Sequence, residues 1–380
     1  MRRFGSWFAF AVTGAALLVA CSSGHPVETD DAPDGGLADA ATDGANPPGP
    51  DDRLTASELT WTWIDFPETQ CRDGSPAGLA VSLNSASDKV MIFLDGGGAC
   101  FDLLTCAGNL ANLSTQRAER TAGVFDRTRS ENPVQDWNIV FVPYCTGDVH
   151  GGTNEDGMIA GARQKFVGRL NLEKFLHRIV PTFAGSSQVL LTGSSAGGFG
   201  ALLNFELVQE AFGDVPVTAI DDSGPPLSSQ YIPECLQERW RTVWGFDRSF
   251  LADCGDDCPN PNDYTVDYLK HVANKYPGKL GGLMETTADN VITLFYGFGA
   301  SDCTSSLPVP LSEEIFREGL LDFRATSVSL GAFGTYFAVG TTHTWLRDEI
   351  FYTETSPDGV KLVDWYRDIV EGRAAAHVGP

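Results

Sequence analysis

The run Gly193-Ser194-Ser195-Ala196-Gly197 constrains this chain more than any other feature. It stands between a strand-like apolar segment, Gln188 to Thr192, and a stretch from Gly200 to Phe212 that reads as helix. A serine in Gly-x-Ser-x-Gly spacing at such a junction sits on a sharp, strained turn, and the glycines remove side chains that would clash there. The helix that follows aims its first amides and its dipole at negative charge developing beside the serine. The spacing alone arises by chance, so the strand–turn–helix setting carries the reading. A Gly-rich turn before a helix can also cradle a pyrophosphate. Here Gly193, Gly197, Gly198 and Gly200 miss the G-x-G-x-x-G spacing, and the turn comes mid-chain. Ser195 is the expected nucleophile.

Apolar runs of strand length recur on either side of it. Lys89 to Leu94, Asn138 to Pro143, Val217 to Asp221, Val291 to Tyr296 and Thr335 to Val339 read as strands. Leu172 to Phe183 reads as a helix with Leu172, Phe175, Leu176, Ile179 and Val180 on one face, and Leu362 to Ala376 reads as another. Strands alternating with helices predict an α/β fold, a mostly parallel sheet with helices on both faces. The alternation breaks over about 225–290, which holds two Pro clusters and three cysteines. That stretch is expected to be an insertion over the carboxyl edge of the sheet.

A serine nucleophile needs a base, and the chain has six histidines. In a chain ordered Ser, acid, His, only His343, in the loop after the last strand, suits both order and position. His150, in the loop Gly147 to Gly152, could line the pocket. The acid is expected after the strand before His343. With Val291 to Tyr296 as that strand, Asp302 lies at its carboxyl end, Asp289 at the wrong end as a capping residue, and Asp322 is a poor second choice. The oxyanion hole needs amides converging on one point. Ala196, after the nucleophile, supplies one, and Gly97 and Gly98, in the glycine run after Lys89 to Leu94, supply the others.

The N-terminus predicts export. Met1-Arg2-Arg3 precedes an apolar stretch, Phe4 to Ala20, and then Cys21. Leu18-Val19-Ala20-Cys21 resembles a bacterial lipobox, which implies cleavage before Cys21 and lipid attachment to its sulfur. Residues 1–20 are then a lipoprotein signal peptide, 21–54 a flexible tether and 55–380 the catalytic domain. The tether is rich in Asp, Ala, Gly and Pro and cannot bury enough apolar surface to offset its ordering entropy. The expected location is the outer membrane or surface of a bacterium, with membrane contact through the lipid alone. Residues 54–380 carry 23 basic and 42 acidic residues, a net −19 that repels nucleic acid. Besides Cys21, eight cysteines remain, an even number that suits disulfides in an exported chain. Spacing alone fixes no pairing among them.

Several ordered motifs together resemble one family, the pectin acetylesterases and the related carboxylesterase Notum. They are Cys71-Arg72-Asp73-Gly74-Ser75-Pro76-Ala77-Gly78, Phe93 to Cys100 around Asp95-Gly96-Gly97-Gly98, Val142 to Gly152, the Ser195 motif, and Asp221-Asp222-Ser223-Gly224. The resemblance implies an α/β-hydrolase fold, a triad of Ser195, Asp302 and His343, and oxyanion amides at Gly97, Gly98 and Ala196. It also implies disulfides Cys71–Cys145 and Cys100–Cys106, with Cys235, Cys254, Cys258 and Cys303 left to pair. Family members carry Trp close to the glycine loop where this chain has Gly98-Ala99, a departure that should reshape the acyl pocket.

The expected function is therefore a serine ester hydrolase working through an acyl-enzyme, with no cofactor and no metal. The expected substrate is a short acyl ester, such as an acetyl group on a glycan, met by a monomer. The rival reading is a surface lipoprotein that binds glycan or a protein partner on an inactive hydrolase scaffold.

Overall fold

A computed structural model describes residues 52–113, 120–278, 281–305, 307–373 and 376–380. The signal peptide, Cys21 and nearly all of the expected tether lie outside them. Eleven strands are present: β1 (Thr62–Gln70), β2 (Pro76–Ser82), β3 (Lys89–Leu94), β4 (Asn138–Val142), β5 (Asn154–Ile159), β6 (Ala162–Phe166), β7 (Gln188–Ser194), β8 (Val217–Asp222), β9 (Gly282–Thr286), β10 (Gly334–Ala338) and β11 (His377–Val378). Nine of them form one sheet in the order β1-β2-β4-β3-β7-β8-β9-β10-β11, and β5 and β6 form a separate hairpin. β1 and β2 are antiparallel to their neighbours, and every pairing from β4 to β11 is parallel.

The apolar runs explain this arrangement. Central parallel strands are covered on both faces, so alternate residues enter different cores. Val90, Ile92 and Leu94 of β3 join one core with Val140, Val189 and Leu191. Met91 and Phe93 join the opposite one with Ile139, Phe141 and Leu190. The first core holds the helix Gly168–Thr182 and the helices between β8 and β9, and the second holds the C-terminal helix Leu362–Val370.

Four expectations need correction. Val291 to Tyr296 is not a strand but the helix Asn290–Tyr296. Its β-branched residues suggest a strand, yet the Asp289 side chain accepts from the Val291 and Ile292 amides and caps it as a helix. The true strand is β9, inside the stretch expected to be insertion, so the insertion ends before Gly282. β9 was hidden because Gly281 leads into it and Glu285 lies within it. A Cβ at Gly281 would fall 1.6 Å from the Ala219 carbonyl oxygen, so close packing against β8 requires glycine there. The stretch after Ser195 is two helices, Ala196–Leu203 and Phe205–Phe212, parted at Asn204. The last helix stops at Val370, short of Ala376.

The insertion does cover the sheet's carboxyl edge. Its helix Glu234–Trp244 sends the Trp244 indole N–H to the carbonyl of Cys100, just beyond β3, at 2.8 Å. Phe101 packs edge-on against Trp240, Trp244, Phe295 and Phe298. All eight cysteines in the described residues are paired, as Cys71–Cys145, Cys100–Cys106, Cys235–Cys303 and Cys254–Cys258.

Candidate active site

Ser195 has φ 59° and ψ −119°, a conformation that L-residues rarely adopt. It persists because the glycines on either side let the turn lie flat against the end of β3. A Cβ at Gly193 would come within 2.4 Å of the Leu94 carbonyl oxygen, and one at Gly197 within 1.9 Å. The Ser195 amide donates to the Asp222 carbonyl on neighbouring β8 at 2.6 Å. The serine thus tops the turn between β7 and its helix, only partly buried among buried neighbours.

His343 follows β10, three strands from β7 in the sheet, and two sets of bonds fix its loop. Asp222, at the end of β8, accepts from the Ser194 hydroxyl (2.6 Å) and from the amides of Trp345 and Leu346 (3.1 and 3.0 Å). The Thr344 amide donates to the Ser223 hydroxyl at 3.2 Å. One carboxylate therefore links the turn that presents Ser195 to the loop that presents His343. Burial raises the Asp222 carboxyl above its ordinary range, while the Ser194 hydroxyl, the two amides and nearby His343 favour its charged form. On the other side, the exit of β9 runs beside the exit of β10. Thr287 and Ala288 amides donate to the Ala338 and Gly340 carbonyls, and the Thr286 hydroxyl donates to Thr342.

This second set of bonds decides the acid. The His343 Nδ1–H donates to Asp289 Oδ2 at 2.6 Å, and Asp289 is fully buried. Asp289 serves twice, since its other oxygen caps the helix Asn290–Tyr296. Asp302 is not brought to His343. It is exposed, in a turn after Gly297–Gly299 with φ 51°, beside the Cys235–Cys303 disulfide. Asp322 lies exposed in the helix Glu313–Leu330. Once Asn290–Tyr296 is a helix, the carboxyl end of the preceding strand is Thr286, and Asp289 is the acidic residue three places on.

The loop after β3 closes the site. The Asp95 amide donates to the Val142 carbonyl, and the Asp95 carboxylate accepts from the Arg347 guanidinium at 2.6 Å. Asn109 Nδ2 donates to the Gly97 carbonyl at 2.8 Å. In a trans peptide the N–H points opposite to the C=O. Pinning that carbonyl therefore fixes the direction of the Gly98 amide. Gly97 and Gly98 have φ of 152° and 76°. Among the described residues, the amides of Gly97, Gly98 and Ala196 donate to no protein acceptor. Gly97 and Gly98 are exposed and Ala196 is buried, and free amides of this kind at the mouth of a site suit an incoming anion.

His150 does not line the pocket. It is buried beneath the helix that follows Ser195, and its Nε2–H donates to the Asp95 carbonyl at 2.8 Å. A carbonyl only accepts, so this nitrogen carries the proton. Burial holds the imidazole down at about 4, neutral at pH 7. His150 was legible as a loop histidine near the site, but its role as a support behind the glycine loop was not.

An apolar cavity of about 30 Å3 lies beside Ser195's helix, lined by Val149, Phe199 and Gly224 and by Trp240, Trp244 and Phe295. Trp240 stacks on Trp244 at 5.9 Å and on Phe295 at 5.3 Å, so aromatics of the insertion and of the helix Asn290–Tyr296 fill most of this space.

Residues 57–252 match the family model for pectinacetylesterases, just over half of the chain. The chain belongs to the pectinacetylesterase family. Among curated relatives, it is 30% identical over 199 residues to the palmitoleoyl-protein carboxylesterase NOTUM of Drosophila melanogaster, covering 46% of this chain and 30% of the relative. It is 28% identical over 176 residues to pectin acetylesterase 5 of Arabidopsis thaliana, covering 44% of this chain and 40% of the relative. The chain thus aligns with well under half the length of these relatives. Its fold is similar to the solved structure of the Wnt deacylase Notum from Drosophila, with a TM-score of 0.64 at 20% identity, covering 82% of this chain and 92% of that one. The pectinacetylesterase match spans β1 through the insertion's first helices. It includes Ser195 and the glycine loop but stops before Asp289 and His343.

Proposed function

We propose that this pectinacetylesterase-family chain is a serine carboxylic-ester hydrolase that removes short acyl groups. The observation that carries the reading is the His343–Asp289 pair on the loops tied to the strained Ser195 turn. Ser195 Oγ attacks the ester carbonyl and His343 takes its proton as general base. Asp289 holds the His343 tautomer and stabilises the imidazolium without taking the proton. The tetrahedral oxyanion is received by the Gly97, Gly98 and Ala196 amides. His343 then protonates the leaving alcohol, and in the second half it activates the water that frees Ser195. The base contributes roughly 10²–10⁴-fold, and one oxyanion donor on the order of 10²–10³ in kcat.

The filled cavity favours a short acyl group. We take the apolar space beside the helix after Ser195 as the acyl pocket, and its volume of about 30 Å3 suits a small group rather than a long chain. Relatives named for a palmitoleoyl group are similar in sequence, but here the stacked Trp240, Trp244 and Phe295 narrow this space. The net charge of the globule favours a neutral acetylated glycan over an acidic one. Hydrolysis of 4-nitrophenyl acetate and of longer-chain esters tests the reading. Wild type should cleave acetate fastest and Ser195→Ala should fall to background. Equal rates for both proteins would leave the inactive-scaffold reading standing.

A further inference from the structure

Behind Asp289 lies a second carboxyl that the mechanism above does not use. Glu285 is in β9, fully buried, with Phe337 opposite it on β10. Its Oε1 accepts from the Thr286 amide at 2.7 Å. Its Oε2 is buried and meets no donor, while its side chain lies within hydrogen-bonding reach of Asp289. The groups facing it are Asp289 from the β9 exit, Asp221 from β8 and the Tyr296 phenol from the helix Asn290–Tyr296. The Tyr296 hydroxyl is already committed to the Pro225 carbonyl, and none of these groups is cationic. Two ionised carboxylates cannot bond to each other; a proton must lie between them.

We infer that Glu285 is a positioning residue, a neutral carboxylic acid whose Oε2–H donates to the Asp289 carboxylate and fixes it against His343. This deepens the esterase reading and rests on it for its catalytic meaning. Asp289 has to stay charged to stabilise the His343 imidazolium. Buried among Asp221, Glu285 and the phenol, it would share its charge with like neighbours unless they stayed protonated. Burial pushes Glu285 well above the ordinary carboxyl range, and the charges of Asp289 and Asp221 push the same way. Burial and the neighbouring Asp222 do the same to Asp221. The proton that completes the Glu285–Asp289 bond is therefore held through neutral pH. The bond also accounts for the otherwise orphaned Oε2.

Glu285→Gln keeps an N–H donor at this position, and Glu285→Met removes it at similar size. In the full chain, E285Q should hold kcat for 4-nitrophenyl acetate within about threefold of wild type. E285M should lose roughly ten- to hundredfold in kcat at unchanged KM, the worth of one hydrogen bond to a charged group. Its acid limb should also move to higher pH, because an Asp289 that has lost a donor holds the His343 proton more tightly. E285Q falling as far as E285M overturns the inference, as does E285M matching wild type in kcat and pH profile. If E285M fails to fold, E285Q decides alone. A second readout separates this inference from the esterase reading. In the Ser195→Ala background, the downfield proton resonance of His343 Nδ1–H should stay in place with E285Q and move with E285M. The opposite pattern overturns the inference whether or not the protein hydrolyses esters.

Discussion

At the residue scale, Asp289 shows how one side chain can conceal its role. A carboxylate at the start of a helix normally caps it, and Asp289 does so through Oδ1. Nothing in the local sequence says that Oδ2 faces a histidine 54 positions away. That contact depends on the β9 and β10 exits running side by side, which is a tertiary fact. Ser195 was legible because its constraint is local: the strained turn dictates its own glycines. His150 falls between these cases. Its folded value near 4 lies below the usual value near 6.5, so the unfolded chain binds the extra proton. The stability it contributes is present above pH 6.5 and is lost as pH falls from 6.5 through 4, to a total of a few kcal/mol. His150→Gln, which keeps a side-chain N–H for the Asp95 carbonyl but does not titrate, should flatten this part of the stability–pH curve. Denaturant melts between pH 4 and 7 check it, and an unchanged slope would contradict the placement of His150.

At the scale of elements, β3, β4, β7, β8 and β10 were readable because strands buried on both faces are continuous apolar runs. β9 was not, because Gly281 and Glu285 interrupt its run for reasons of packing and chemistry. The false strand at Val291 to Tyr296 then displaced the acid by more than ten residues. The insertion was recognisable from its broken pattern, but which of its aromatics face the nucleophile's helix was not. Removing one of them should change specificity. Trp240→Ala should open the cavity beside Phe199 and shift the preferred ester from acetate toward butyrate or longer. Each buried methylene adds about 0.8 kcal/mol, roughly fourfold in kcat/KM. The same change should cost about 3–5 kcal/mol of stability. A chain-length profile and a thermal melt read both effects. Retention of strict acetate preference by a folded W240A would place the acyl group elsewhere.

At the scale of the whole molecule, four disulfides cross-link the described residues, and the sequence before residue 52 is proposed to be an anchor and tether. We propose that Cys21 carries the lipid and holds the esterase at a bacterial envelope. In a bacterial host, Cys21→Ser should move the protein from the membrane fraction to the soluble exported fraction without loss of specific activity. Continued membrane association of C21S would remove Cys21 as the anchor. Among the described residues, no helix is long and apolar enough to cross a membrane.

All three scales meet in the pairing of Ser195's turn with His343 and Asp289, and one comparison tests that pairing most directly. Asp289→Asn keeps an oxygen to cap the helix but presents His343 with the wrong partner, so it should lower kcat for 4-nitrophenyl acetate by as much as about 10⁴-fold. Asp302→Asn, in its exposed turn, should leave kcat within about twofold of wild type. An active D289N alongside an inactive, folded D302N would contradict the account.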